Sequence, residues 1–236
     1  MIDLHTHILC GMDDGAQNSK VSLHMLRQQQ EQGVDTVVLT PHFYRHRENL
    51  HGFLLRRDEA MKRLQRRLEE LSEEERESLP RMVLGAEVAW VPNLADCRNL
   101  DKLCPNNSGY LLLELPYSKW DSRLVDQVYE LMTATGLTPV LAHLDRYRKL
   151  QSPSQMQEIL SLDVPVQISS ETFLKLTSRS YGIRALQNYA HVVASDCHDP
   201  VKRPPNLGDA MEIIDEKLGR TAVREINRNA RRFAGP

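Results

Sequence analysis

The first seven residues, 1–7, read "MIDLHTH": two apolar residues, a leucine and an acid in between, and two histidines one residue apart. On an extended strand alternate side chains share a face, so His5 and His7 point together. The same design then repeats along the chain, a short apolar run that finishes on a histidine or a carboxylate, and this repetition decides the fold. "DTVVLT" (35–40) leads to His42, "RMVLGAEV" (81–88) carries Glu87, and "GYLLLEL" (109–115) carries Glu114. "TPVLAH" (138–143) ends on His143, and "HVVAS" (191–195) runs into Asp196 and His198. A further run, "VPVQIS" (164–169), brings the count of expected strands to seven.

Helical patterns fall between these runs, at 19–32, 93–102, 121–135, 154–161 and about 207–232. Several runs are apolar on both sides of the alternation, as parallel strands covered by helices should be. The fold class is therefore α/β, with a parallel sheet either closed as a barrel or wound on both faces. The charged stretch 46–79 repeats Phe53, Leu54, Met61, Leu64, Leu68 and Leu71 near helical spacing, which predicts an amphipathic helix with a solvated face.

A length of 236 residues suits one α/β core, so a single domain over 1–236 is expected. The formal net charge of −2 gives no general attraction to nucleic acid or anionic lipid. No apolar run approaches the length of a membrane span, and the start lacks the basic and apolar regions of a secretory signal, so a cytoplasmic protein without membrane insertion is expected. Cys10, Cys97, Cys104 and Cys197 show neither C-x-x-C spacing nor the density of a disulfide scaffold, which points to reduced thiols.

In a parallel barrel the carboxyl ends of all strands open on one face, where such folds build active sites. His5, His7, His42, Glu87, Glu114, His143, Asp196 and His198 would then converge. Imidazole nitrogen and carboxylate oxygen suit manganese, iron or zinc, and the thiolates of structural zinc sites are missing. Eight ligands exceed what one catalytic ion with an open position needs and suit two or three. Three divalent ions carry +6, against −3 from the three carboxylates and −1 from a hydroxide; the remaining +2 matches a phosphate monoester of about −1.5 to −2. Arg146 and Arg203 follow the ligands His143 and His198 closely enough to offer planar forks to phosphate oxygens. In "CGMDDGAQ" (10–17) one acid of the Asp13–Asp14 pair, taken as Asp14, is placed to protonate a leaving oxygen or to bind a metal.

"MIDLHTHILCGMDDG", "LTPH", "GAE", "LLLELP", "TPVLAHLDRYRKL" and "HVVASDCH" followed by "RPP" resemble the polymerase and histidinol phosphatase (PHP) superfamily. Within it they resemble the manganese-dependent bacterial tyrosine phosphatases of capsule and exopolysaccharide loci. The resemblance implies a distorted seven-stranded βα barrel of the TIM-like kind with a trinuclear manganese site, iron, zinc and magnesium being the alternatives. It also implies the eight residues above as ligands, with Asp14, Arg146 and Arg203 around the phosphate. The implied substrate is the phosphotyrosine-rich tail of a membrane-associated bacterial tyrosine kinase. "LDR" (144–146) in place of Ile-Glu-Arg and the ending "NRNARRFAGP" (227–236) depart from the family pattern without touching a ligand.

Three other readings make different predictions. "CHDPVKR" (197–203) fits the Cys-x5-Arg spacing of cysteine-dependent phosphatases, although Asp199 and Pro200 stand where such a loop needs glycines and backbone donors. A PHP phosphoesterase for a small ester such as histidinol phosphate would share the metal site. A metal-bound adaptor would shield phosphotyrosine without turnover.

Overall fold

The computed structural model describes residues 1–236. The chain forms nine strands and nine α-helices. The strands are β1 (Ile2–Thr6), β2 (Thr36–Leu39), β3 (His42–Phe43), β4 (Arg81–Leu84), β5 (Glu87–Ala89), β6 (Tyr110–Glu114), β7 (Thr138–Leu141), β8 (Gln167–Ser169) and β9 (Val192–Ala194). The helices are α1 (Ser19–Glu31), α2 (Leu50–Glu69), α3 (Glu73–Ser78), α4 (Leu124–Thr135), α5 (Pro153–Leu160), α6 (Glu171–Leu174), α7 (Leu176–Asn188), α8 (Leu207–Leu218) and α9 (Arg220–Ala234).

Nine strands replace the expected seven because two runs break in the middle. The second stops at Leu39 and resumes at His42, across Pro41, which has no N–H for a ladder. The third breaks at Gly85–Ala86. Both interruptions lie at the same height, so the pairing divides there. Below it the order is β1-β2-β4; above it the order is β3-β5-β6-β7; β8 and β9 pair separately, and every pairing is parallel. A single closed ring of seven strands is thus corrected to three parallel sheets, joined at their edges by the isolated bridges Thr6–Cys197 and Leu141–Val166.

The broken pairing has a use. It places His42 directly opposite Glu87, so two ligand-type residues lie side by side on neighbouring strands, with Glu114 two steps further along β6, opposite Ala89. A second irregularity acts on β1. Asp3 pairs with Val37 and Thr6 with Leu39, three steps against two, so one extra residue is accommodated between them. Such a bulge re-aims the side chains beyond it. Ile2 and Leu4 join an interior apolar cluster with Val38, Val83, Leu112, Val140 and Val192, while His5 and His7 turn to the site. Ala230, Phe233 and Ala234 of α9 complete that cluster. The larger apolar cluster, 45 residues, includes Leu23 and Leu26 of α1 and Phe53 and Leu64 of α2 with strand residues such as Val37 and Leu39.

Other helix expectations are refined. The region 46–79 folds as α2 and α3, and Phe53, Ala60, Leu64 and Leu68 form the buried stripe of α2. The pattern at 93–102 becomes two 3-10 turns, Leu94–Asp96 and Leu100–Leu103, each entered through an asparagine in the left-handed region (Asn93, Asn99). The region 207–232 is divided into α8 and α9 by Gly219 at φ 80°, a conformation that glycine adopts without a Cβ penalty.

Candidate metal centre

All eight residues expected as ligands meet at the carboxyl ends of the strands. Nε2 of His5 and Nε2 of His7 stand 3.1 Å apart. Oε2 of Glu87 lies 3.2 and 3.3 Å from these two nitrogens, and Oδ1 of Asp196 lies 3.3 and 3.4 Å from them. Donors at such separations are spaced as the ligands of one ion at about 2.0–2.2 Å would be. His143 Nε2 is 2.8 Å from Glu87 Oε1, and Glu114 Oε1 is 3.6 Å from the same nitrogen. His42 Nδ1 approaches Glu87 Oε2 to 2.9 Å and Glu114 Oε2 to 3.9 Å. The His198 ring stacks on that of His7 at 3.8 Å between centroids.

The tautomers follow from the outer partners. His5 Nδ1 is 3.1 Å from the Gln167 side-chain oxygen, which can only accept, and His198 Nδ1 is 3.0 Å from the Asp196 carbonyl. Each Nδ1 therefore donates, and each Nε2 presents a lone pair. His7 Nδ1 likewise donates, to Asp13 Oδ2 at 2.8 Å, so the lone pairs of His5 and His7 Nε2, 3.1 Å apart beside two carboxylate oxygens, form a setting suited to a cation. The remaining features fit the same group. His42 Nδ1 and Glu87 Oε2 are buried and make no hydrogen bond. Burial and the neighbouring Glu87 charge push the Glu114 carboxyl up; burial also raises Glu87, but His5 and the surrounding imidazoles outweigh it and hold Glu87 well below the usual carboxylate range. Four overlapping donor sets satisfy the spacing for an ion: His7, Asp14, His42 and His198; His5, His7 and Glu87; His5, His143 and Asp196; His42, Glu87 and Glu114.

The other expected residues lie at the rim. Asp14 is 71% exposed, with Oδ1 3.5 Å from His198 Nε2 and 3.7 Å from His42 Nε2. Arg146 and Arg203 both bond Asp196 Oδ2 through Nη2, Arg203 at 2.7 Å. Each side chain is partly exposed and has further guanidinium donors. A cavity of about 460 Å³ opens beside Asp14 and His42, walled also by Tyr44, Arg47 and Arg56. Cys197 does not face this mouth. It is 0% exposed, its Sγ accepts from Gln29 Nε2 at 3.6 Å, and burial and Asp3 push its thiol up to about 12.

Two residues here were not singled out in the sequence. Gln167, in the one run without a terminal ligand, accepts through one oxygen from His5 Nδ1 and from the His143 amide at 3.0 Å. Its signal was a polar amide inside an apolar run. Asp13, the neighbour of Asp14, is buried against His7, and "DDG" did not show which acid would turn inward.

Fold and site together define a parallel α/β protein with a polynuclear metal-type donor set at its strand ends. The chain belongs to the CpsB/CapC family of capsular polysaccharide synthesis, whose model matches residues 1–233. It is 29% identical to the tyrosine-protein phosphatase YwqE of Bacillus subtilis, over 98% of this chain and 90% of the relative. It is 28% identical to the tyrosine-protein phosphatase CpsB of Streptococcus pneumoniae, over 96% of this chain and 94% of the relative. A crystal structure from work on YwqE and CpsB, described as metal-dependent tyrosine phosphatases, superposes with a TM-score of 0.83 at 26% identity, covering 99% of this chain and 94% of the other.

Proposed function

We propose that this chain is a metal-dependent protein-tyrosine phosphatase, formed as one domain over residues 1–236, with His5, His7, His42, Glu87, Glu114, His143, Asp196 and His198 as ligands. The observation that carries the proposal is the pair of facing imidazole nitrogens, 3.1 Å apart and flanked by Glu87 and Asp196, in a chain of the CpsB/CapC family. Divalent ions held there, manganese first among them and three in number, would lower the pKa of water to about 7 and offset phosphate charge. Arg146 and Arg203 then orient the phosphate through the nitrogens that Asp196 leaves free. Asp14, at the open rim, supplies a proton through Oδ1 to the departing tyrosine oxygen. That phenol, with a pKa near 10, leaves more readily than an alkyl alcohol. The distorted-barrel description goes with this proposal, supported by the strand order and the two edge bridges. So does the substrate, the phosphotyrosine tail of a bacterial kinase on the cytoplasmic side of the membrane.

The test is phosphate release from a phosphotyrosine peptide and from histidinol phosphate by chelator-stripped protein, with and without Mn2+, with Cys197→Ser alongside. Restoration of peptide cleavage by Mn2+ in both proteins is expected. Activity of stripped protein that Cys197→Ser abolishes would overturn it in favour of a thiolate mechanism. Cleavage of histidinol phosphate alone would make it a small-ester phosphatase, and metal uptake without turnover an adaptor.

A further inference from the structure

We propose that Asp13 is the positioning residue of this centre: it holds the His7 ring with Nδ1 as donor, ties that ring to the His42 strand, and so sets the affinity of the site for its ions. The proposal rests on the metal-centre reading above and deepens it.

Asp13 has a side chain only 6% exposed, and both its oxygens are committed to N–H donors. Oδ2 accepts from His7 Nδ1 at 2.8 Å and from the His42 amide at 2.9 Å; Oδ1 accepts from the Gly15 amide at 3.0 Å. The first bond decides the chemistry of His7. A carboxylate oxygen can only accept, so Nδ1 carries the proton and Nε2 presents its lone pair toward His5 Nε2, Glu87 Oε2 and Asp196 Oδ1. The second bond decides placement. His7 follows β1 and His42 opens β3, strands that belong to different hydrogen-bonded sheets. One oxygen of Asp13 bonds both and holds their rings 4.6 Å apart between centroids.

The carboxylate is itself fixed. The Ala16 amide donates to the His7 carbonyl at 2.9 Å and the Gly11 amide to the Ala16 carbonyl at 2.8 Å, which folds the loop 11–16 back on the end of β1. Gly15 packs so tightly there that a Cβ would lie 2.1 Å from the His7 carbonyl oxygen. Asp13 and Asp14 therefore divide the work of the pair. Asp14 faces the open rim; Asp13, with its oxygens taken by N–H groups, acts through His7 and not as a ligand. Carboxylate partners of ligating histidines fix ring orientation and raise ligand basicity, and their removal weakens metal binding about 10–100-fold.

The experiment titrates full-length protein with Mn2+ against a fluorescent chelator, in the wild type, Asp13→Ala, Asp13→Asn and Phe233→Ala. Phe233 lies in the interior cluster with α9, among none of the ligands, and its truncation reports general destabilisation. Asp13→Ala is expected to bind Mn2+ about 10–100-fold more weakly, and Asp13→Asn, which keeps an acceptor oxygen for His7 but no charge, about 10-fold more weakly. Phe233→Ala should bind within twofold of wild type, and phosphatase activity of the Asp13 variants should shift in its Mn2+ activation constant more than in kcat at saturating metal. Should Asp13→Ala not fold, the Asn variant carries the same test. Wild-type affinity in the Asp13 variants, or an equal loss in Phe233→Ala, would overturn the proposal. Absence of Mn2+ uptake by the wild type would overturn the metal-centre reading instead, and this proposal with it.

Discussion

A methyl group at position 15 offers a sharp test of how tightly the first loop is built against the site. In Gly15→Ala the new Cβ would meet the His7 carbonyl oxygen at 2.1 Å, the His7 Cβ at 2.5 Å and the His7 carbonyl carbon at 2.9 Å. None of these atoms is the movable end of a flexible side chain, so a rotamer change gives no relief. The loop and the end of β1 must separate by about 1 Å to restore ordinary contact, which lengthens the 2.9 Å bond from Ala16 to His7 and drags the imidazole with it. Ligand distances tolerate only about 0.2 Å, and a misplacement of about 1 Å at a reacting centre lowers rates about 100-fold. Overpacking of this kind also destabilises by about 1–3 kcal/mol, or about 2–12 °C in thermal midpoint for a chain of this size. Mn2+-dependent phosphate release from a phosphotyrosine peptide and calorimetric unfolding read the two effects separately. Activity within twofold of wild type and an unchanged midpoint would refute the reasoning, because the loop would then be yielding without moving His7.

Two further predictions address the centre and its support. Glu87 lies 2.8–3.3 Å from four ring nitrogens, whereas Glu114 approaches two at 3.6 and 3.9 Å; Glu87→Gln is therefore expected to lose more bound metal after dialysis than Glu114→Gln, and to lower turnover about 10²–10³-fold, the scale of losing one electrostatic contact at a reacting centre. Equal metal content in the two variants would contradict this ranking. Arg57 is buried with no carboxylate partner and donates to the Gly85 carbonyl at 2.9 Å and the Lys102 carbonyl at 3.2 Å. Arg57→Met leaves both carbonyls unpaired and should cost about 1–3 kcal/mol in urea unfolding; an unchanged midpoint would mean that these carbonyls find water.

The gathering of the site residues was legible because parallel strands separated by helices bring their carboxyl ends to one face. Residues scattered from position 5 to position 198 could thus be assigned to one neighbourhood from periodicity alone. The details that aim them were not. Pro41 is visible in the sequence, but that its break and the one at Gly85 fall at the same height, dividing the sheets and setting His42 beside Glu87, depends on register between distant strands. The bulge in β1 leaves no mark either: alternation correctly gave His5 and His7 a shared face, yet the interior below is lined by Ile2 and Leu4, which plain alternation would put on the opposite face. Asp13 and Asp14 are chemically alike, and only the turn of the loop separates the buried acid from the exposed one.

The backbone at two of the proposed ligand positions shows how that aiming is achieved. His143 adopts φ 31° and Asp196 φ 52°, left-handed conformations that residues with a Cβ occupy at roughly 1–3 kcal/mol. Both follow the end of a strand, where a sharp reversal takes the side chain out of the alternation and into the mouth. Each is held by bonds to other proposed ligands or their partners. The His143 amide donates to Gln167, the residue that also fixes the His5 ring, and the Asp196 amide donates to the His5 carbonyl at 2.9 Å. Arg146 and Arg203 hold the outer oxygen of Asp196 and leave Oδ1 toward the two histidines. His5 is therefore the hub of the restraint, through its ring on one side and its carbonyl on the other. Strain at His143 and at Asp196 is sustained by the same short segment of β1, and a disturbance of that segment would release both at once.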